Sequence, residues 1–313
     1  MRVFAFCILS GFTLYLFVHT ALVAFLEAHF LGGAIISLMV TGIVFSLFAE
    51  ARRLRESKVS YSKHSKQTLV FLGVVSGGIL TYSISAFLET GPVVAAGLVG
   101  ILGALFVKDL AVPVYCGAFV GMVCCTLFTV QMTVAASIIA GLVFVVSEGV
   151  LEGFGGRLGT IAFIGTMITV LSSPAVFVPE DLLQRELLLP AVLYSAVAAG
   201  LTFYLSVKKG HGPVMASGSV GLAGGIALPA IHELHGKMFA AVVICASFVG
   251  MSSDTRLRNS MHSVLAGMVA GVVFGFSTHI ATGSGGKLGT IAFGTVLGFY
   301  GIERLLGRFI VKE

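Results

Sequence analysis

Charge is scarce in this chain. Only 11% of its 313 residues are charged, against about a quarter in a soluble domain, so too few ionic groups exist to cover a water-facing surface. Reactive motifs are missing as well. No nucleophile elbow and no ATP phosphate loop occurs, which argues against primary active transport by this chain alone and against an enzyme. The five cysteines (Cys7, Cys116, Cys124, Cys125 and Cys245) fall inside apolar segments without the spacing of a metal knuckle or a disulfide framework. They read as small apolar residues. The stretch containing His232, Glu233 and His235 places its histidines at i and i+3, whereas a zinc protease helix needs i and i+4. No metal and no cofactor is expected. The net charge of +5 comes from cations between apolar segments, a pattern of membrane topology and not of a nucleic-acid partner.

Apolar sequence fills the space that charge leaves. Hydrophobic residues make up 57% of the chain and the mean hydropathy is +1.04. Runs of about twenty apolar residues recur, each sufficient to cross a bilayer as a helix. Twelve spans fit, at roughly 2–26, 31–50, 68–88, 91–107, 112–131, 134–152, 158–176, 187–206, 212–229, 238–253, 262–281 and 287–308. The first exceeds the apolar core of about 7–15 residues found in secretory signals and reads as a retained span. Loop charge tests the count. Arg52, Arg53, Arg55, Lys58, Lys63 and Lys66 mark the second loop as cytoplasmic. An even count then places Lys208, Lys209, Arg256, Arg258, Arg304, Arg308 and Lys312 on that side and the acidic stretch SSPAVFVPEDLLQRE outside. Both termini are expected in the cytoplasm, with the protein integral to the plasma (inner) membrane.

The chain also repeats itself. Residues 140–163 and 270–293 match at 14 of 24 positions, ending in GFGGRLGTIAF and GSGGKLGTIAF. CGAFVGM (116–122) matches CASFVGM (245–251), and GPVVAAGLVGILG (91–103) matches GPVMASGSVGLAG (212–224), in the same order. An odd number of spans, five, separates equivalent points, so equivalent helices should run in opposite directions. The expected architecture is an all-α polytopic membrane protein with two inverted five-helix repeats, 67–186 and 187–313. Residues 1–66 add two helices and the basic loop. Inverted repeats are typical of secondary transporters, with the solute site where the repeats meet.

The doubled phrase supplies the candidate site. Gly155 and Gly156, like Gly285 and Gly286, gather backbone N–H groups at the start of a helix, where the macrodipole favours an anion. Arg157 and Lys287 add a full charge at the same point of each copy, and Thr160 and Thr290 offer hydroxyls one turn on. The other reading is that both loops are surface turns whose cations snorkel to headgroups. In the first glycine-rich helix pair, Gly97, Gly100 and Gly103 and likewise Gly218, Gly221 and Gly224 suit close helix packing or an exposed backbone path, with Ser217 and Ser219 as added hydroxyls. Glu148 and Glu152, expected on one helical face at i and i+4 before the first loop, correspond to Thr278 and Thr282, and Gly149 to His279. Glu148 and His279 are candidates for proton coupling, and Glu152 for pairing with Arg157. The expected function is a secondary transporter of a small anionic solute working in a lipid bilayer. A passive channel with the same helix-end filter, a non-transporting subunit and a membrane protein acting on lipid phosphates are the alternatives.

Overall fold

The computed structural model describes residues 1–56, 64–177 and 181–310, and among these it has twelve α-helices and no strand. Lys58, Lys63, Lys312 and the middle of the acidic loop lie outside the described residues. The helices are α1 (Arg2–Leu26), α2 (Phe30–Glu56), α3 (His64–Phe87), α4 (Pro92–Phe106), α5 (Ala111–Gly121), α6 (Val130–Val146), α7 (Arg157–Leu171), α8 (Arg185–Phe203), α9 (Pro213–Ile231), α10 (Gly236–Gly250), α11 (Ser260–Ser277) and α12 (Lys287–Ile310). Six of them, α1, α2, α3, α8 with its π-helical extension Tyr204–Lys208, α9 and α11, are long and apolar enough to cross a bilayer. By length and composition this is the build of a helical membrane protein.

Others are too short for a full crossing. Helices α4, α7 and α10 have 15 residues and α5 has 11. At 1.5 Å per residue these reach about 22 Å and about 16 Å, against about 30 Å of hydrocarbon. The expected span 112–131 is therefore broken: α5 stops at Gly121 and non-helical chain follows until Thr129 caps α6. Composition alone hides this break, because the irregular backbone is satisfied within the protein, with Cys124 N donating to Gly283 O at 2.8 Å. A second difference concerns Glu148 and Glu152. They do not share a helical face, since α6 ends at Val146 and Gly149 (φ 75) and Leu151 (φ 53) turn the chain out of the helix.

Packing follows a recurring plan. Helix α3 lies against α4, α5 and α6, α5 against α4, α6 and α7, and α6 against α7. Helix α8 lies against α9, α10 and α11, α10 against α9, α11 and α12, and α11 against α12. The two sets join through α4 on α9 and α7 on α12. Small residues allow these approaches. A Cβ on Gly97 would lie 3.0 Å from Gly218 O, and one on Gly218 would lie 3.1 Å from Gly97 O. At the centre Phe119 of α5 stacks on Phe248 of α10, ring centroids 4.3 Å apart. Outside the two sets, α2 runs along α12, where Ser46 donates its hydroxyl to Leu297 O at 2.6 Å, and α1 sets Phe12 edge-on against Phe163 of α7.

Candidate functional site

The two copies of the repeated phrase fold alike. Loop 1 (147–156) joins α6 to α7, and loop 2 (278–286) joins α11 to α12. Gly156 and Gly286 both take φ 83, and Gly153 and Gly283 take φ 82 and φ 80. A side chain at Gly156 would strike Gly289 O, and one at Gly286 would strike Gly159 O. Positive φ and close backbone approach thus both demand glycine there. The first turns of α7 and α12 cross in backbone contact. A Cβ on Gly159 would lie 3.0 Å from Gly289 N and 3.1 Å from Gly286 O, and one on Gly289 would lie 3.0 Å from Gly159 N and 3.1 Å from Gly156 O. The residues that approach rise in number along α7 as they fall along α12, so these two helices run antiparallel. Gly155 and Gly285 are buried in turn against the carbonyl ends of α10 and α5. In this conformation backbone fills the interval between the loops.

The cations point away from that crossing. Arg157 Nη2 donates to the carbonyl oxygen of Ser147 and, at 2.9 Å, to its hydroxyl. Lys287 Nζ donates to the carbonyls of Ser277 (3.4 Å), Thr278 (3.1 Å) and Ile280 (3.0 Å). Each cation therefore sits at the carbonyl end of the preceding helix, where the helix dipole is negative. The pairing of Glu152 with Arg157 is replaced by a local bond, in which Gly149 N donates to Glu152 Oε1 at 2.8 Å. Cysteine makes the same contact in both copies: Cys116 Sγ donates to Leu158 O at 3.3 Å, and Cys245 Sγ to Leu288 O at 3.2 Å.

The surroundings of the loops differ. A cavity of about 630 Å³ reaches loop 1 and is lined by Gly153 to Leu158, by Glu148 and Glu152, by Lys66 of α3 and by Ser252 to Asp254. Arg157 faces this cavity although it is 9% exposed. Its Nε and the hydroxyl of Thr160, which is 0% exposed, have no hydrogen-bond partner among the described residues. Thr290, by contrast, donates to Gly286 O at 3.3 Å. The two candidates for proton coupling are not brought together. Glu148 lines the cavity, whereas His279 packs its ring 5.6 Å from that of His19 in α1.

One residue was missed by sequence reasoning. Arg256, which topology alone would leave as a loop cation, is 5% exposed. It forms a bidentate pair with Glu50 of α2 (Nη1–Oε1 2.6 Å, Nη2–Oε2 3.0 Å). It also donates to Glu152 O at 3.3 and 3.2 Å and lies over the rings of Phe154 (4.0 Å) and Tyr300 (5.2 Å). It thus ties α2, loop 1 and α12 together beside the cavity. A trace of it exists in the repeat: extending the match of CGAFVGM with CASFVGM at the same offset sets Arg256 against Leu127, and such a break in a duplication marks a role held by one copy.

Comparison with family models, with curated proteins and with solved structures finds no match.

Proposed function

We propose that the protein is a secondary transporter of a small anionic solute, alternating access between two five-helix units of opposite orientation. The units are 67–186 and 187–313, with α1 and α2 added in front. The repeated blocks of sequence, the recurring neighbour plan and the reciprocal contacts of Gly97 with Gly218 and of Gly159 with Gly289 support the duplication. The antiparallel run of α7 against α12 supports its inversion. The loop cations support both termini in the cytoplasm of a plasma-membrane protein, so the cavity at loop 1 is open to the cytoplasm.

The observation that carries the reading is the first turn of α7. A left-handed Gly156 and a buried Arg157 with Nε unpartnered line one cavity, and the buried, unpartnered Thr160 hydroxyl lies one turn further into the helix behind them. A buried donor without a partner is costly, and an anion at a helix start satisfies it. Glycine keeps the backbone close, Arg157 supplies charge, and the carboxylates of Glu148 and Glu152 limit how much negative charge enters. The loop 2 copy, Gly285, Gly286, Lys287 and Thr290, takes the equivalent place when the opposite face opens. A passive channel is the second reading. The backbone contact of Gly159 with Gly289 favours alternation over it, because no solute passes between these helix starts until they part.

The test is flux in proteoliposomes of the purified chain, with chloride, inorganic phosphate, sulfate and acetate as probes. Saturable uptake driven by an ion gradient, reduced at least about tenfold in Arg157→Gln for loss of a charge-assisted bond, is the expected result. Flux that does not saturate and needs no gradient identifies a channel. A well-folded protein that moves none of the four sinks the transport reading.

A further inference from the structure

We propose that His19 and His279 form a proton-binding site at the mouth of loop 2. The pair joins two parts of the fold with different origins. His19 comes from α1, outside the repeated units, and His279 from loop 2, at the position where loop 1 has Gly149. Their ring centroids are 5.6 Å apart with planes inclined by 33°. Both nitrogens of His279 and Nδ1 of His19 are buried without a hydrogen-bond partner among the described residues. Such groups call for a bound species. A neutral imidazole offers one donor and one acceptor nitrogen, and a proton taken up turns the acceptor into a second donor.

The site is separate from the cavity at loop 1. Phe6 of α1 lies beside Glu50, Glu152 and Arg256, and His19 is about 20 Å further along the same helix. The groups facing the pair set its charge balance. Lys287 donates to the carbonyls of Thr278 and Ile280, the two neighbours of His279 in the chain. Glu27, just beyond α1, acts on His279 with the opposite sign. The Tyr15 ring lies 6.0 Å from that of His19. His29 rests on Phe276 at 5.1 Å, and Thr278 donates its hydroxyl to Asp181 O at 2.9 Å. Burial, His19 and Lys287 all disfavour a proton on His279, and only Glu27 favours it, so the His279 imidazole is held below its ordinary range until a neighbouring anion offsets Lys287.

This has a consequence that rests on the transport reading above. An anion arriving at Lys287 cancels the repulsion, so anion and proton each strengthen binding of the other by linkage. The proton enters from water at the loop 2 mouth and returns to water when the anion leaves, which makes the movement a proton–anion symport.

The experiment is a titration of ¹⁵N-histidine NMR signals of the full chain in lipid nanodiscs, with His19→Gln and His279→Gln to assign them. Among the eight histidines, two should titrate together in two steps. In His279→Gln the His19 signal should revert to a single step, and the reciprocal should hold for His19→Gln. A His19 titration unchanged by His279→Gln, in a variant whose other signals are unmoved, overturns the proposal. Should that variant misfold, the unaltered protein decides it: two independent single-step titrations there also overturn it. A second arm measures proton uptake when chloride or phosphate is added to weakly buffered protein. Uptake lost in both variants supports the pair and the linkage. Coupled titration without uptake or flux of any anion leaves the proton site standing and removes the transport reading. Anion flux beside uncoupled histidines does the reverse.

Discussion

Loops 1 and 2 share nine of eleven residues in their repeated phrase, adopt the same φ values at Gly156 and Gly286, and place a cation on the end of the preceding helix. Their neighbours nevertheless give them different work. Loop 1 borders a cavity and is held from behind by Arg256, whereas loop 2 meets Cys124 and Leu127 at the corresponding turn and sets its own His279 against His19. Local sequence sets the course of the backbone. Access, by contrast, is set by what other helices bring to it.

The strongest way to break this comparison is to remove the support that only loop 1 has. Arg256→Gln leaves the buried Glu50 carboxylate only the long contact to the exposed Arg53 (3.9 Å) and is expected to cost about 3 kcal/mol. Glu50→Gln with Arg256→Gln should recover much of that loss. Thermal unfolding in detergent measures both, and additive losses would show that the pair does not act as a unit. Next comes the crossing that both loops share. Gly159→Ala and Gly289→Ala each force a Cβ onto the opposing backbone and should each cost about 1–3 kcal/mol. Similar losses support an equivalent pair of positions, and a large disparity argues against it.

A smaller effect sharpens the functional difference. Arg157→Gln should weaken solute binding about tenfold, and Arg157→Lys should be milder because charge survives without the planar fork. Lys287→Gln, measured by the same binding assay with the loop 1 cavity open, should have less effect, since Lys287 does not line that cavity. Equal losses would restore a single site formed by both cations. The smallest effect expected is that of Cys116→Ala and Cys245→Ala, at about 1 kcal/mol each for loss of one weak hydrogen bond. Differential unfolding of the two variants should agree within error if the copies are built alike.

Much of the backbone plan was legible in residue order. The apolar period marked α1, which begins at Arg2 and ends at Leu26, and Lys287 marked the start of α12. Pro92 and Pro213 stand at the first turn of α4 and α9, where the missing N–H costs nothing. The break after Gly121 escaped, because Met122 to Val130 is as apolar as a span, and its irregular backbone is satisfied by Gly283, distant in sequence. The site was half legible. Gly155, Gly156 and Arg157 stood out through duplication, and Thr160 and Thr290 were paired by it. Yet the same duplication gave no sign that the hydroxyl of Thr160 lacks a partner while that of Thr290 has one.

By itself, then, the order of residues determined a helical membrane protein, the glycines that turn each loop and the cation that follows each pair. These rest on short-range physics: transfer of apolar side chains from water, positive φ open to glycine, and charge at a helix end. Only the tertiary structure decided that α7 and α12 cross at Gly159 and Gly289, that Arg256 reaches Glu50, and that His19 meets His279. Those contacts join residues far apart in the chain, and the burial that gives each charge or unpaired nitrogen its energy exists only once the helices have packed.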